Sequence, residues 1–164
     1  MHIEVLEEIN LTEILNEVNT VKVALKKGWA TIPQVGLQGH KPDLDPLEEC
    51  INSAGRVSKL QYPENYFKYP LWDLPKLNRI FEKYNMVRSR IMPMHPKVCY
   101  TMHSDMTKRI HIPLITAPDC RMVIQDKVYM LDLGKIYLTN TTLPHTAFNA
   151  SKGVRVHIVG CIYE

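Results

Sequence analysis

The sequence predicts a mainly β protein, a sandwich or barrel with helices packed outside it. Three observations carry that reading. Residues 86–164 break into roughly seven or eight short runs rich in β-branched and aromatic residues. Turn signals separate those runs: "HPK", "APDC", "QDK", "LG", "TTLP" and "ASKG". Helical periodicity is confined to the first half. The 164 residues suit a single domain, 1–164, with 1–85 as a helix- and loop-rich supporting half and 86–164 as the β core. A hydrophobic fraction of 45% and a charged fraction of 23% are those of a globular chain, not a disordered one.

Taken in order, Leu6, Ile9, Ile14, Leu15 and Val18 recur at helical spacing, which gives residues 2–27 a partly helical texture. Thr12 can open a second short turn, and residues 22–27 extend the helix or begin a strand. "WATIPQVGLQG" reads as a strand with Pro and Gly breaks. "HKPDLDPLEECINSAG" reads as loop around a helical turn. In "YPENYFKYPLWDLPKLNRIFEKY", Asp73 can cap a helix whose first turn suits Pro75. Leu77, Ile80, Phe81 and Tyr84 form its apolar face, and it ends near Asn85. The strands are then "MVRSRIMPM", "RIHIPLIT", "RMVIQ", "KVYMLD", "KIYLTN", "HTAFNA" and "VRVHIVGCIY".

A formal charge of +3 with scattered Lys and Arg makes no case for a nucleic-acid partner. Cys50, Cys99, Cys120 and Cys161 form no C-x-x-C pair, so neither a zinc ribbon nor a redox motif is supported. The start "MHIEVLEEINLTEIL" lacks the basic opening and apolar core of a signal peptide, and no run reaches the length of a membrane span. The expectation is a cytoplasmic protein with free thiols and no membrane partner.

The chemistry concentrates in "YTMHSDMTKRIHIP", residues 100–113. His103 and Asp105 stand two apart, so in an extended chain they share a face and can reach one metal ion. A third ligand can come from His145, just after "TTLP". Two histidines and a carboxylate form the facial set that leaves positions open on non-haem Fe(II). Ten residues on, Arg155 shares a face with His157, while Val154, Val156 and Ile158 share the other. An arginine turned into such a barrel needs an anion, and its planar fork suits a carboxylate. Arg109 and His111 also share a face.

H-x-D at 103–105, a distal His145 and an Arg155 ten residues later resemble the Fe(II)/2-oxoglutarate-dependent dioxygenases. The finer likeness is to the aspartyl/asparaginyl β-hydroxylase group. "RIH" at 109–111, "HTAFN" at 145–149, "GKIYLTNTTLPHTAFN" and "RVHIV" are similar to that group's segments, over roughly residues 86–160. The resemblance implies a double-stranded β-helix, a jelly-roll and cupin-like barrel. It implies iron held by His103, Asp105 and His145, and 2-oxoglutarate paired through its far carboxylate with Arg155. Arg109, His111 and Tyr100 would lie in the same co-substrate pocket, Tyr100 either donating a hydrogen bond or merely packing. It implies hydroxylation of an unactivated C–H by O2, most naturally on an amino-acid side chain, with release of succinate and CO2. Animal members have a glycine-like position where Asp105 stands, so this chain carries the fuller ligand set. The large animal members also carry helical repeats for a protein substrate, for which this chain is too short. A small molecule or an exposed peptide is the expected substrate.

Two other readings stay open. A nucleobase-directed dioxygenase would carry a second Arg six residues after the first, where Cys161 stands. A non-catalytic cupin-like binding domain would usually have lost a ligand. Of the remaining polar residues, His157 reads as packed or supporting, Asn149 as holding the chain near His145, and Arg88 with Arg90 as a solvated face.

Overall fold

The computed structural model describes residues 1–47 and 62–163. The chain opens with β1 (Ile3–Glu8), α1 (Leu11–Leu25), β2 (Val35–Gly36) and β3 (Gln38–Gly39). A 3-10 turn at Glu64–Tyr66 leads to β4 (Tyr69–Pro70) and α2 (Pro75–Lys83). Then come β5 (Met86–Met94), β6 (Val98–Cys99), β7 (Arg109–Ile115) and β8 (Cys120–Ile124). The last four strands are β9 (Lys127–Tyr129), β10 (Lys135–Thr139), β11 (His145–Asn149) and β12 (Arg155–Ile162).

These last eight strands pair from the outside in: β5 with β12, β6 with β11, β7 with β10 and β8 with β9, all antiparallel. A long hairpin folded over on itself in this way is a jelly roll, the double-stranded β-helix. Cross-pairs complete a six-stranded sheet, ordered β1-β10-β7-β12-β5-β2, and a four-stranded sheet, ordered β6-β11-β8-β9. The strands expected from residue 86 onward all form; β6, only two residues long, carried no signal of its own.

The two-residue period of these strands decides where the core sits. Ile91 of β5, Ile110, Ile112 and Leu114 of β7, and Val156 and Ile158 of β12 turn one way. They meet Ile14, Val18 and Val21 of α1 and Leu77 and Phe81 of α2. The main apolar core therefore lies between the large sheet and the helices. Arg90 and Met92, Arg109 and His111, and Arg155 alternate with those residues and line the space between the sheets.

The first half departs from expectation in three places. Residues 3–8 form a strand, not helix: Ile3 lies opposite Thr139 and Val5 opposite Tyr137, and this edge pairing with β10 outweighs a weak local periodicity. "WATIPQVGLQG" supplies only the two short strands β2 and β3. Residues 40–47 are loop, as expected, and the rest of the expected loop and turn at 40–55 lies outside the described residues.

The third departure concerns a cap. Asn10 caps α1, its side chain accepting from Glu13 N–H at 3.4 Å. Asp73 does not cap α2, whose N-cap position is Leu74 with no side-chain bond. Instead Glu17 reaches across from α1 and accepts from Lys76 N–H at 2.7 Å and Leu77 N–H at 2.9 Å. A carboxylate from a neighbouring helix thus satisfies two of the open donors of α2 and faces its positive end.

The β5–β12 ladder also breaks register between Val159 and Cys161. Opposite the break, Arg88 adopts a left-handed backbone at φ 51°. Gly160 fills the tight spot: a Cβ there would sit 2.8 Å from Ser89 Oγ and 2.5 Å from Met86 Cε.

Glu17→Ala is expected to cost about 1 kcal/mol in urea unfolding, with Glu17→Gln costing less because one acceptor remains. Equal midpoints for wild type and Glu17→Ala would mean that water serves these donors as well. Gly160→Ala is expected to cost about 1–3 kcal/mol, as overpacking does, read from the same transitions.

Candidate metal centre and its pocket

His103 and His145 face each other across a single antiparallel bridge. His103 N–H donates to the His145 carbonyl at 3.0 Å, and His145 N–H returns the bond at 2.8 Å. The backbone therefore sets both histidines side by side, with ring centroids 4.3 Å apart. Each Nδ1 meets a carbonyl two residues back, that of Thr101 at 2.7 Å and that of Leu143 at 3.0 Å. A carbonyl can only accept, so each Nδ1 carries the proton. Both Nε2 atoms are left with a free lone pair, the form a metal requires.

Asp105 does not continue a strand beyond His103. It lies in the following loop, held by its N–H bond to Thr141 O at 2.8 Å. Its Oδ1 is 3.9 Å from His103 Nε2 and its Oδ2 is 3.6 Å from His145 Nε2. One ligand atom from each of the three residues lies within 4.8 Å of the others. Two imidazole nitrogens and a carboxylate oxygen fit Fe(II) with positions left open. Burial, first among its causes, lowers the His145 pKa and favours the neutral ligand.

His103, Asp105, His145, Tyr100, Arg109, His111 and Arg155 all line one cleft of about 470 Å³. The structure thus brings every site residue expected from the sequence to one place. Arg155 is 5% exposed and its Nε is buried without a partner. Its side chain forms no hydrogen bond or ion pair among the described residues. Burial lowers its pKa. A guanidinium so placed costs several kcal/mol, on the order seen for buried unpaired charges, until an anion joins it. The pocket therefore fits a carboxylate.

His111 and His157 lie on neighbouring strands with their Nδ1 atoms 3.3 Å apart. Burial, aided by Arg155, pushes the His111 pKa down to about 3 and takes His157 well below its ordinary value. Both rings are neutral, and one proton serves the contact between them.

Arg109 is largely committed to protein acceptors. Its Nε donates to Asp105 Oδ2 at 3.1 Å, and Nη1 to Thr107 Oγ1 at 2.7 Å. Nη1 and Nη2 also reach the two carboxylate oxygens of Glu64 at 3.1 and 3.2 Å. Glu64 takes Arg88 as well, at 2.7 Å. Burial alone would raise the Glu64 pKa, but Arg109 and Arg88 outweigh it and hold the carboxyl below its ordinary value.

Sequence reasoning passed over Glu64, the lone acid in "YPENYF", because nothing nearby marks it. It also misjudged Arg88 and Arg90. Both are buried, at 8% and 7% exposed, and both line the cleft instead of forming a solvated face. One face of their strand packs on the helices through Ile91 and the other turns into the cleft between the sheets, so neither is a solvated face. Asn149 holds the chain as expected, its Nδ2 donating to Met94 O at 2.9 Å and Gly153 O at 2.8 Å. Cys99, Cys120 and Cys161 are free thiols, and Cys50 lies outside the described residues. Among the described residues no helix is long and apolar enough to cross a membrane.

Residues 56–163 match the family described as aspartyl/asparaginyl beta-hydroxylase. Over 96 residues the chain is 32% identical to the L-proline cis-4-hydroxylase of Rhizobium meliloti (strain 1021), covering 52% of this chain and 34% of that enzyme. The chain thus spans about a third of the length of this curated relative. Among solved structures, an oxidoreductase of the 2OG-Fe(II) oxygenase family from Burkholderia pseudomallei matches 46% of this chain and 43% of its own at 18% identity, with a TM-score of 0.42. The nickel complex of the non-haem monooxygenase ThoJ matches 96% of this chain and 71% of its own at 10% identity, with a TM-score of 0.48.

The buried histidine pair carries a pH signature. His111 and His157 are neutral in the fold and bind protons once the chain unfolds, since their folded pKa values lie below the ordinary 6.5. Their contribution to stability is full above that value and is lost as the pH falls below it. Urea unfolding of the metal-free protein should weaken from pH 6.5 to 4.5. His157→Gln should make that decline shallower, by up to about 1.4 kcal/mol per pH unit. A slope that His157→Gln leaves unchanged would assign the acid lability to other groups.

Proposed function

The chain belongs to the aspartyl/asparaginyl β-hydroxylase family, and on that premise we propose that it is a 2-oxoglutarate-dependent hydroxylase. It would oxidise an unactivated C–H on an amino-acid side chain, free or within a peptide, with release of succinate and CO2. The observation that carries the reading is the set His103, Asp105 and His145, gathered within 4.8 Å in the cleft that also holds the unpartnered Arg155.

His103 Nε2, Asp105 and His145 Nε2 would hold Fe(II). Arg155 would pair with the far carboxylate of 2-oxoglutarate, filling the one buried guanidinium that has no bond among the described residues. Bound iron and 2-oxoglutarate supply the oxidising chemistry with O2. The chain's own residues bind and orient. Arg109 steers Asp105 through its 3.1 Å bond and leaves the other carboxylate oxygen for the metal. Neutral His111 can donate from Nε2 to the co-substrate while its Nδ1 accepts from His157. Tyr100, half-buried and lining the cleft, would add a phenolic hydrogen bond or merely pack.

The relative named as an L-proline cis-4-hydroxylase makes L-proline the first substrate to try. A small molecule or a short peptide suits the size of the cleft. The free thiols of Cys99, Cys120 and Cys161 support the cytoplasm as its compartment.

Anaerobic titration of the protein with Fe(II) and then 2-oxoglutarate tests this. The visible charge-transfer band of the chelate should form in the wild type and be absent in His145→Ala. Arg155→Ala should need at least about thirtyfold more 2-oxoglutarate to reach it. A folded wild type that gives no band would overturn the oxygenase reading in favour of a non-catalytic binding domain.

A further inference from the structure

We propose that Glu64 is a positioning residue for the metal centre: by holding the guanidinium of Arg109 it keeps that arginine from closing on both oxygens of Asp105, which leaves Asp105 free to bind the metal. This rests on the reading of His103, Asp105 and His145 as iron ligands. Metal binding then depends on a turn in the first half of the chain, and that turn depends on the metal in return.

Arg109 stands between two carboxylates and treats them differently. Nη1 and Nη2 reach the two oxygens of Glu64 at 3.1 and 3.2 Å, so the end of the fork grips that carboxylate with two bonds. Asp105 receives the Nε bond, on Oδ2 at 3.1 Å. Its Oδ1 stays with the ligand set, 3.9 Å from His103 Nε2. Among the described residues no third carboxylate pairs with Arg109. Without Glu64 the Nη groups would be buried donors with no anion, and Asp105 is the carboxylate already in reach. The guanidinium could then shift until Nη2 joins Nε on Asp105. A fork closed over both oxygens would compete directly with the metal for them.

Glu64 is itself fixed from the other side. It is 8% exposed, and Arg88 Nη1 donates to its Oε1 at 2.7 Å. Arg88 sits at φ 51°, a left-handed backbone that a non-glycine residue keeps only when its surroundings demand it. Arg88 N–H donates to Phe67 O at 2.7 Å, and Phe67 N–H donates to Glu64 O at 3.1 Å, which closes the 3-10 turn. The turn, the kinked strand and the chain of arginines and carboxylates therefore form one connected unit that ends on a candidate ligand. Coupling through such a unit is reciprocal: whatever Glu64 adds to metal affinity, the bound metal returns as protection of the turn.

Calorimetric titration with Ni(II) tests one direction of this coupling without turnover. Glu64→Gln should bind Ni(II) about 10- to 100-fold more weakly than the wild type, the range for groups that orient metal ligands. Glu64→Asp, which keeps the charge on a shorter stem, should lose less. Placed in Asp105→Ala, the Glu64→Gln change should cost about twofold or less, because the ligand it orients is gone. Hydrogen exchange of the unaltered protein, read by mass spectrometry, tests the other direction and decides even where Glu64→Gln fails to fold. Saturating Ni(II) should slow exchange at residues 64–67 about fivefold or more. It should leave the turn at residues 28–31 unchanged, where Thr31 N–H donates to Gly28 O at 3.0 Å. The proposal is overturned by full Ni(II) affinity in a folded Glu64→Gln, or by an equal loss in the Asp105→Ala background. Exchange that Ni(II) slows alike in both turns, or in neither, overturns it as well. A wild type that takes up no Ni(II) overturns the metal-centre reading itself, and this proposal with it.

Discussion

Glu64 holds two buried arginines at once, Arg88 at 2.7 Å and Arg109 at 3.1 Å, and Arg109 passes the connection on to Asp105. A ligand of the candidate metal is thereby tied to a short turn in the first half of the chain, far away in sequence. A carboxylate between two guanidiniums is stable out of water only because all three are paired. Removing Glu64 would leave two cations in a dry place and let Asp105 turn. The supporting half therefore contributes more than packing, since it sets the direction of one of the three candidate ligand groups.

The three candidate ligands are positioned by unlike means. His103 and His145 owe their places to the backbone bridge, and their proton-bearing nitrogens to the carbonyls of Thr101 and Leu143. Asp105 depends on a loop bond to Thr141 and a side-chain bond to Arg109. Behind them the barrel interior is lined by cations and neutral imidazoles. The division of labour follows from the strand period: one face of each central strand supplies Ile, Val and Leu to the helices, and the other supplies Arg and His to the cleft.

Much of this was readable in advance because it is written in local pattern. Period-two alternation and turn residues located the strands from β5 onward, apart from the two-residue β6. The candidate ligand residues stood out because a metal demands particular side chains in a particular order, and the fold does gather them. What was not readable depends on partners distant in sequence. β1 is a strand because β10 offers it an edge, and no feature of "IEVLEE" announces that edge. Glu17 caps a helix about sixty residues later, which no N-cap pattern encodes. Arg88 and Arg90 look like any alternating surface pair until both flanking strands are known, and Glu64 is meaningful only once Arg88 and Arg109 are beside it.

The outer margin of the large sheet has its own consequence. β1 closes that side with the sequence "IEVLEE", and its pairing with β10 shifts register between Val5 and Glu7. An unpaired sheet margin is a template on which another chain can add a strand and begin to aggregate. Here the margin is short, kinked and charged through Glu4, Glu7 and Glu8, features that discourage such docking. The segment that reads least like a strand thus guards the barrel's open side against self-association through its backbone.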